Sequence, residues 1–421
     1  MTSRINLDPN GITSPSEYDV NYVHLYTNKL DDPIVITKLV NYIEIFESIH
    51  TPFITLNVNI TDTQSLNSLL PIVGEEYIEI DVRGPDGTTG LIKQGFFIYK
   101  LTERMQIADK AFTYTLNCIS SAAIIDMNIK ISQAISGQPS NLVASKFVEA
   151  LEINKQVFAY PTKNVVSYIS NYWSPLQNIM YLCNRAVSRD TSSPSYVFFE
   201  TKKSFNFVPL DALVAQDSTW DYMYVPNTHN TDVLNEQSII HKLYVDETFD
   251  YIKRITTGTY GNRSLIVDYL KKSYEYAYYD FLESFNKFNR LNAAPIASND
   301  VLRSVNSVLR TRLAPSLTTS SMPDELTNEW FRQRLTEIST INSQSISIDV
   351  AGRFNVYSGN VVNVFVPVTT MPNLETDEVN WKKIVDKSLS GRYLVTSIKH
   401  TLTRERHVLS LNLSKDSMFD A

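Results

Sequence analysis

Cysteine is almost missing from this chain. The 421 residues hold two, Cys118 and Cys183, each set in an apolar pattern that suits a small core residue better than a disulfide or a catalytic thiol. Glycine is scarce, 12 in all, which leaves little material for phosphate-cradling loops. Positive charge is not in excess: a formal net charge of −7 argues against a broad nucleic-acid-binding surface. No apolar run approaches the roughly 18 residues that cross a bilayer, so no membrane insertion is expected. The opening MTSRINLDPNGITSPSEYD lacks the apolar core of a signal peptide.

Catalytic motifs are missing as well. The six histidines, His24, His50, His229, His241, His400 and His407, form no HExxH, HxH or Cys/His cluster with zinc spacing. There is no P-loop, no GxGxxG after a strand and no GxSxG. The stretch Arg83-Gly84-Pro85-Asp86-Gly87-Thr88-Thr89-Gly90 lies between two strands, with no helix N-terminus to hold a phosphate, and reads as a hairpin tip. His400 and His407 flank a short loop and read as structural residues that come close to each other. No catalytic, cofactor-binding or metal residues are assigned, no cofactor is expected, and the chain is not read as an enzyme.

What the sequence does contain is β structure, and it contains it twice. In HVLSLNLS, Leu409, Leu411 and Leu413 alternate with polar residues, the period of a strand with one buried face. RYLVTSIKHTL precedes it across the polar link Thr403–Arg406, so residues 391–416 predict a hairpin. Upstream, SISIDVAG alternates again and Ser358-Gly359-Asn360 supplies a turn before NVVNVFVPV. The same order stands earlier in the chain. TPFITLNVNI resembles SQSISIDVAG, VGEEYIEIDV resembles SGNVVNVFVP, and GFFIYKLTERMQIADKAFTYTLNCI resembles the terminal hairpin, with Thr115–Cys118 matching Ser410–Leu413 in residue type. Turn glycines Gly74 and Gly359 and strand-opening glycines Gly95 and Gly391 sit at corresponding places. Matched elements in one order point to an internal repeat.

These features predict an α+β chain with two similar small antiparallel β-barrels, since closure removes exposed strand edges. KLVNYIEIFESI (38–49) is the expected first strand of the first barrel, and SIIHKLYVDETFDYIKRITTG (238–258) that of the second. The expected organisation is an N-terminal extension (1–19), a first barrel (20–128), a mixed helix/hairpin domain (129–234), and a second barrel (235–258 and 340–417) split by a helical insertion (259–339). In the mixed domain, 139–155 predicts a helix capped by Ser140. A second helix follows Ser174-Pro175 with the stripe Leu176, Ile179, Met180, Cys183 and Val187, and YVFFETKKSFNFVPL turns at Lys202-Lys203. In the insertion, Leu270, Tyr274, Ala277, Phe281, Phe285 and Phe288 recur at helical steps. A further helix is expected from Ser321, with Leu326, Trp330, Phe331, Leu335 and Ile338 inward.

With YIEIDVRGPDG, GFFIYKLTER, YVFFETKKSFNFVPL, ITTGTYGNRSLIVDY, SISIDVAGRFNVYSGNVVNVFVP, SGRYLVTSIKHTL and SLNLSKDSM in that order, the chain resembles the baseplate hub proteins of contractile-tailed bacteriophages. It is similar too to the hub portion of type VI secretion spikes. The resemblance implies a homotrimer in which two barrels per chain give a pseudo-hexameric ring. Such a ring joins the hexameric tail tube protein to a trimeric central spike protein in the virion baseplate, assembled in the host cytoplasm, with baseplate wedge proteins as neighbours of the insertion. DNA would pass the channel without specific binding. In YIEIDV, Ile78, Ile80 and Val82 are expected in the core, with Glu79 and Asp81 on the outward face, where they would repel DNA if that face lines the channel. The alternative is a virion receptor- or carbohydrate-binding β-protein, which clustered surface aromatics would favour; Trp173, Trp220, Trp330 and Trp381 are scattered.

Overall fold

The computed structural model describes residues 16–64, 66, 71–84, 91–225, 237–247, 249–269, 272–296, 308–313, 327–368 and 385–418. The chain begins with β1 (Asp19–Tyr26), β2 (Ile34–Val35), β3 (Val40–Ser48), β4 (Thr55–Asp62), β5 (Tyr77–Arg83), β6 (Leu91–Ala108) and β7 (Ala111–Ser120), then helix α1 (Ser121–Asn128). Their spatial order is β2-β1-β5-β6-β7-β4-β3. Alternation decides which side faces in: Ile43 and Ile45 on β3, Val58 on β4, and Ile78 and Ile80 on β5 are fully buried in one aliphatic core. The expected inward phase of Ile78, Ile80 and Val82 holds.

A mixed module follows. It contains β8 (Ile131–Gly137), a helix α2 over 139–150 with a π-turn inside it, β9 (Gln156–Ala159), β10 (Val166–Trp173), α3 (Pro175–Cys183), β11 (Tyr196–Glu200), β12 (Ser204–Pro209) and α4 (Leu210–Val214). Helix α3 starts at a capping box in which the Ser174 side chain accepts from the Gln177 N–H and the Gln177 side chain accepts from the Ser174 N–H. The hairpin β11–β12 turns at Lys202-Lys203 as expected.

The C-terminal half contains β13 (Ser218–Tyr224), β14 (Ile239–Glu247), α5 (Tyr251–Thr256), β15 (Gly261–Asp268), β16 (Ser273–Asp280), α6 (Phe281–Phe285), β17 (Ala294–Pro295), β18 (Leu309–Leu313) and α7 (Thr327–Ile341). It ends with β19 (Gln344–Ala351), β20 (Val361–Phe365), β21 (Gly391–Thr403), β22 (His407–Lys415) and β23 (Ser417–Met418). Six of these strands run in the order β21-β20-β13-β14-β19-β22, and the β21–β22 pairing closes them into a barrel. Leu409, Leu411 and Leu413 of β22 face Ile346, Ile348 and Val350 of β19 inside it.

The two strand sets share one spatial order. Reading β1, β3, β4, β5, β6, β7 onto β13, β14, β19, β20, β21, β22 turns the first into the second. The ladders agree in detail. Asn117 of β7 faces Asn57 of β4, and Asn412 of β22 faces Ser347 of β19. β6 skips a residue against β7 between Ile98 and Lys100, and β21 skips one against β22 between Val395 and Ser397. β3 skips one against β4 between Val40 and Tyr42, and β14 skips one against β19 between Ile240 and Lys242. A bulge re-aims every residue beyond it, so two bulges at matching ladder positions are a stronger sign of a repeat than shared alternation. The sets differ at one strand: β1 runs antiparallel to β5, whereas β13 runs parallel to β20. They also join directly, since β3 pairs antiparallel with β21.

Several sequence expectations need correction. Residues 38–49 hold β3, but β1 precedes it in the sheet. β13, inside the span expected for the mixed domain, is a barrel strand. β14 stops at Glu247 and residues 251–256 turn helical under the Asp250 cap. The insertion is not simply helical: β16, β15 and β18 form a sheet. The stripe from Tyr274 to Phe285 is a strand running into a short helix. Tyr274, Tyr276 and Tyr278 alternate at period two, a strand preference of aromatics, and Asp280 caps α6 through the Leu282 and Glu283 N–H groups. Leu270 and the helix start at Ser321–Leu326 lie outside the described residues, as do Pro85 to Gly90 of the glycine-rich stretch and Trp381. Pro139 begins α2 after Gln138, and the Ser140 hydroxyl instead meets Thr162. Met180 and Leu335 are exposed. The two aligned glycines miss strict equivalence by one residue, because Ile98 and Val395 occupy the same ladder position.

Candidate functional site

Three buried polar junctions hold the modules together. The first centres on the β11–β12 hairpin tip, which enters the seam between the strand sets. Lys202 Nζ lies 3.0 Å from Glu47 Oε1 of β3, 2.7 Å from His400 Nε2 of β21 and 2.9 Å from the Val356 carbonyl. The ammonium can only donate, so His400 accepts at Nε2 and carries its proton on Nδ1. That proton is donated to His407 Nε2 at 3.0 Å. Phe354 stacks on both imidazoles. Burial pulls Lys202 down, opposed by Glu47. Burial and the Lys202 charge hold His400 well below the usual histidine range and push His407 down to about 3. The histidines are therefore neutral, and the sequence expectation that they approach each other is met.

The second junction joins the hairpin's β11 to the N-terminal set. Glu200 accepts from the Ile54 N–H at 3.0 Å, Ser120 Oγ at 3.1 Å, Gln94 Nε2 at 3.2 Å and Lys155 Nζ at 2.6 Å. The third ties the insertion to the barrel end: Arg290 meets Glu337 at 3.1 Å and Asp416 at 3.4 Å, and Tyr279 donates to Glu337 at 2.8 Å. Lys415 is a further buried cation, donating to the carbonyls of Ser388 at 2.6 Å and Ser390 at 3.0 Å. Burial pulls it down to about 7, with Asp386 opposing. Breaking a buried ion pair on one side costs on the order of 3–5 kcal/mol, so these contacts fix how the modules seat.

In each junction the carboxylates are already occupied by donors: Glu47 and Glu200 accept from other modules, Asp416 from the insertion's Arg290, and Glu337 from Arg290 and Tyr279 within the insertion. Among the described residues no cluster of His, Cys, Asp and Glu could hold a metal ion. Cys118 and Cys183 are buried free thiols, and burial pushes Cys183 up to about 12, which removes the thiolate needed for chemistry. Among the described residues no helix is long and apolar enough to cross a membrane. Glu79 accepts from Tyr22 and Tyr26, and Asp81 from Asn21, on the face opposite the core.

Beyond the approach of His400 to His407 the junctions were not expected, yet several of their residues left a signal. Glu47 follows Ile43 and Ile45 in the inward phase of β3; Lys415 follows Leu409, Leu411 and Leu413; His400 follows Ile398; Glu200 follows Phe198. A charged or titratable residue at an inward position needs a buried partner.

No protein-family model matches the sequence, and no curated protein matches it. Solved structures do. The prophage MuSo2 43 kDa tail protein from Shewanella oneidensis matches over 94% of this chain and 99% of its own, with 10% identity and a TM-score of 0.57. The tail protein from Neisseria meningitidis MC58 matches over 95% and 97%, with 10% identity and a TM-score of 0.52. The fold is that of prophage tail proteins. Both matches run nearly end to end, so the tail-protein fold takes in both strand sets, the mixed module and the insertion together. The hub-like resemblance read from the sequence is borne out as a resemblance of fold.

Proposed function

We propose that the chain is a structural hub of a phage tail baseplate. Three copies form a pseudo-hexameric ring of six similar barrels that joins the hexameric tail tube to a trimeric central spike. The observation that carries this reading is the strand order written twice with matching bulges. A chain with two equivalent strand sets lets a threefold assembly present six similar units. The role is non-enzymatic, the setting is the virion tail, and the insertion faces neighbouring wedge proteins. The Glu79/Asp81 face fits a channel that DNA passes without binding. In the second set the corresponding strand places Asn363 against Asp221, at 2.6 Å, so a carboxylate stands on that strand layer too.

The mass of the purified protein, alone and with tube protein, tests the reading. A threefold mass that gains tube subunits supports it, and a monomer that binds no tube protein overturns it. One observation favours the carbohydrate-binding alternative: Tyr274, Tyr276 and Tyr278 are exposed on β16. Their rings form no flat platform, however. Tyr274 and Tyr276 meet at 78°, and Arg263 already covers the Tyr276 ring at 3.7 Å.

A further inference from the structure

The seam between the strand sets occurs once within the chain, and the repeat holds the parts for it a second time. In that seam β3 pairs antiparallel with β21, from Ser397 opposite Ser48 to Thr403 opposite Tyr42. By the ladders, β14 is the counterpart of β3 and β6 the counterpart of β21. Among the described residues neither uses the matching edge. Beyond Ile240, β14 pairs only with β19, and beyond Phe97, β6 pairs only with β7. Both edges are apolar and open to solvent: Tyr244 is 58% and Val245 44% exposed on β14, and Met105 is 60% and Ile107 51% exposed on β6. Ile45, the counterpart of Val245 in the seam already made, is fully buried. Long, exposed, apolar strand edges are what native proteins otherwise avoid.

We propose that β14 of one copy pairs antiparallel with β6 of a second copy in the register of the internal seam. This rests on the trimeric reading and adds which edges meet and how they align. Met105 faces Thr113 as Thr401 faces Val408, and Tyr244 faces Ser347 as Glu44 faces Asn57. Because Thr401 lies opposite Glu44 in the internal seam, Met105 lies opposite Tyr244 across the new one. The same step sets Gln106 opposite Leu243, and a further irregularity on β6 between Gln106 and Ala108 ends the match there. Both strands carry an irregularity just before this stretch that the internal seam lacks, between Thr102 and Met105 on β6 and between Val245 and Glu247 on β14. The register therefore applies to 105–106 and 243–244. Each chain has one edge of each kind, so the contact is head-to-tail, and three such seams alternate with three internal ones to close six strand sets into a ring.

Paired cysteines test the register. Directly opposite residues in an antiparallel ladder come within disulfide reach, whereas residues two places off on the same face do not. Neighbouring pairs alternate between the two ladder geometries, so both M105C/Y244C and Q106C/L243C are made. M105C/K242C is the out-of-register control. The full-length variants are oxidised and run without reductant, beside native mass measurement of the unmodified chain and of each reduced variant. The expected result is a covalent trimer in at least one in-register variant and only monomer bands in the control. A trimer by mass with no in-register crosslink overturns the seam and leaves the hub reading standing, as does stronger crosslinking in the control. A monomeric unmodified chain overturns the seam, and if it also binds no tube protein it overturns the hub reading as well.

Discussion

The N-terminal strand set and the C-terminal barrel share a strand order but not an interior. The first encloses an aliphatic core in which β-branched residues dominate. The second places ionisable groups on its inward phase: His400 on β21, His407 and Lys415 on β22. At the ladder position of His407, opposite β6, the N-terminal set has Phe112. The polar groups of the barrel point at what docks on it, since His400 reaches the hairpin lysine and Asp416 reaches the insertion's Arg290. The N-terminal set also turns charge inward, at Glu47 on β3 and Asp62 on β4, but the second barrel carries more of it and meets both the hairpin and the insertion through it. A repeat can thus keep its ladders while its copies diverge in the chemistry of their contacts.

The largest expected effect comes from removing the hairpin's anchor. Lys202→Met leaves Glu47, 1% exposed, charged and unpaired, and lowers stability by about 3–5 kcal/mol, read from urea unfolding. Glu47→Gln together with Lys202→Met recovers a large part of that loss, because the uncompensated charge is gone. If the single substitution costs under about 1 kcal/mol, the hairpin tip does not anchor the seam between the two strand sets.

Acid separates the copies next. An unfolded histidine titrates near 6.5, while His407 is held at about 3 and His400 well below its usual range. Between those values the unfolded chain binds protons that the folded chain refuses. Stability from the pair is therefore complete above about pH 6.5 and falls as pH drops, by about 1.4 kcal/mol per unit for each histidine. Urea midpoints at a series of pH values check the slope, and His407→Phe, which copies the N-terminal counterpart, flattens it.

Much of this architecture is legible in the residues, and the misses have physical causes. Leu409–Leu413 and Ile78–Val82 give their strands away because one face is buried and one is wet. The repeat is legible for the same reason. The insertion was misread because strand β16 hands over to helix α6 at Asp280, and the aromatics of the two elements happen to fall at three- and four-residue steps. β13 falls in the wrong module because nothing local to STWDYMY tells which sheet it joins; only its parallel pairings with β20 and β14 do. The junctions needed one more rule, that a charge in an apolar phase implies a partner elsewhere in the fold.

The turn glycines offer a finer comparison. Gly74 and Gly359 open corresponding strands with φ of +99° and +90°, a region that costs other residues on the order of 1–3 kcal/mol. Their surroundings differ. A Cβ on Gly74 meets only the Ile98 carbonyl at 3.6 Å, whereas on Gly359 it meets Phe199 at 3.1 Å and Leu213 at 3.4 Å. Gly359→Ala should cost more than Gly74→Ala, and the excess reports how tightly the mixed module is pressed onto the barrel. Equal costs, measured by thermal unfolding, would show that backbone conformation alone matters at both turns.

The smallest effect lies on the seam itself, where one ion pair sits in water. Lys399 Nζ of β21 is 2.6 Å from Glu44 Oε1 of β3, the same two strands that Lys202 and Glu47 bridge from the buried side. The Lys399 side chain is 40% exposed, so solvent screens the pair and it contributes about 0.2–1 kcal/mol. Lys399→Ala should therefore shift the urea midpoint by a small fraction of the Lys202→Met shift, and the shift should shrink further in about 1 M salt, where screening acts within about 3 Å. The buried pair, cut off from mobile ions, should keep most of its effect in the same salt. A Lys399→Ala loss as large as that of Lys202→Met would mean that the seam is held by its outer face, and that the polar interior of the second barrel serves some other end.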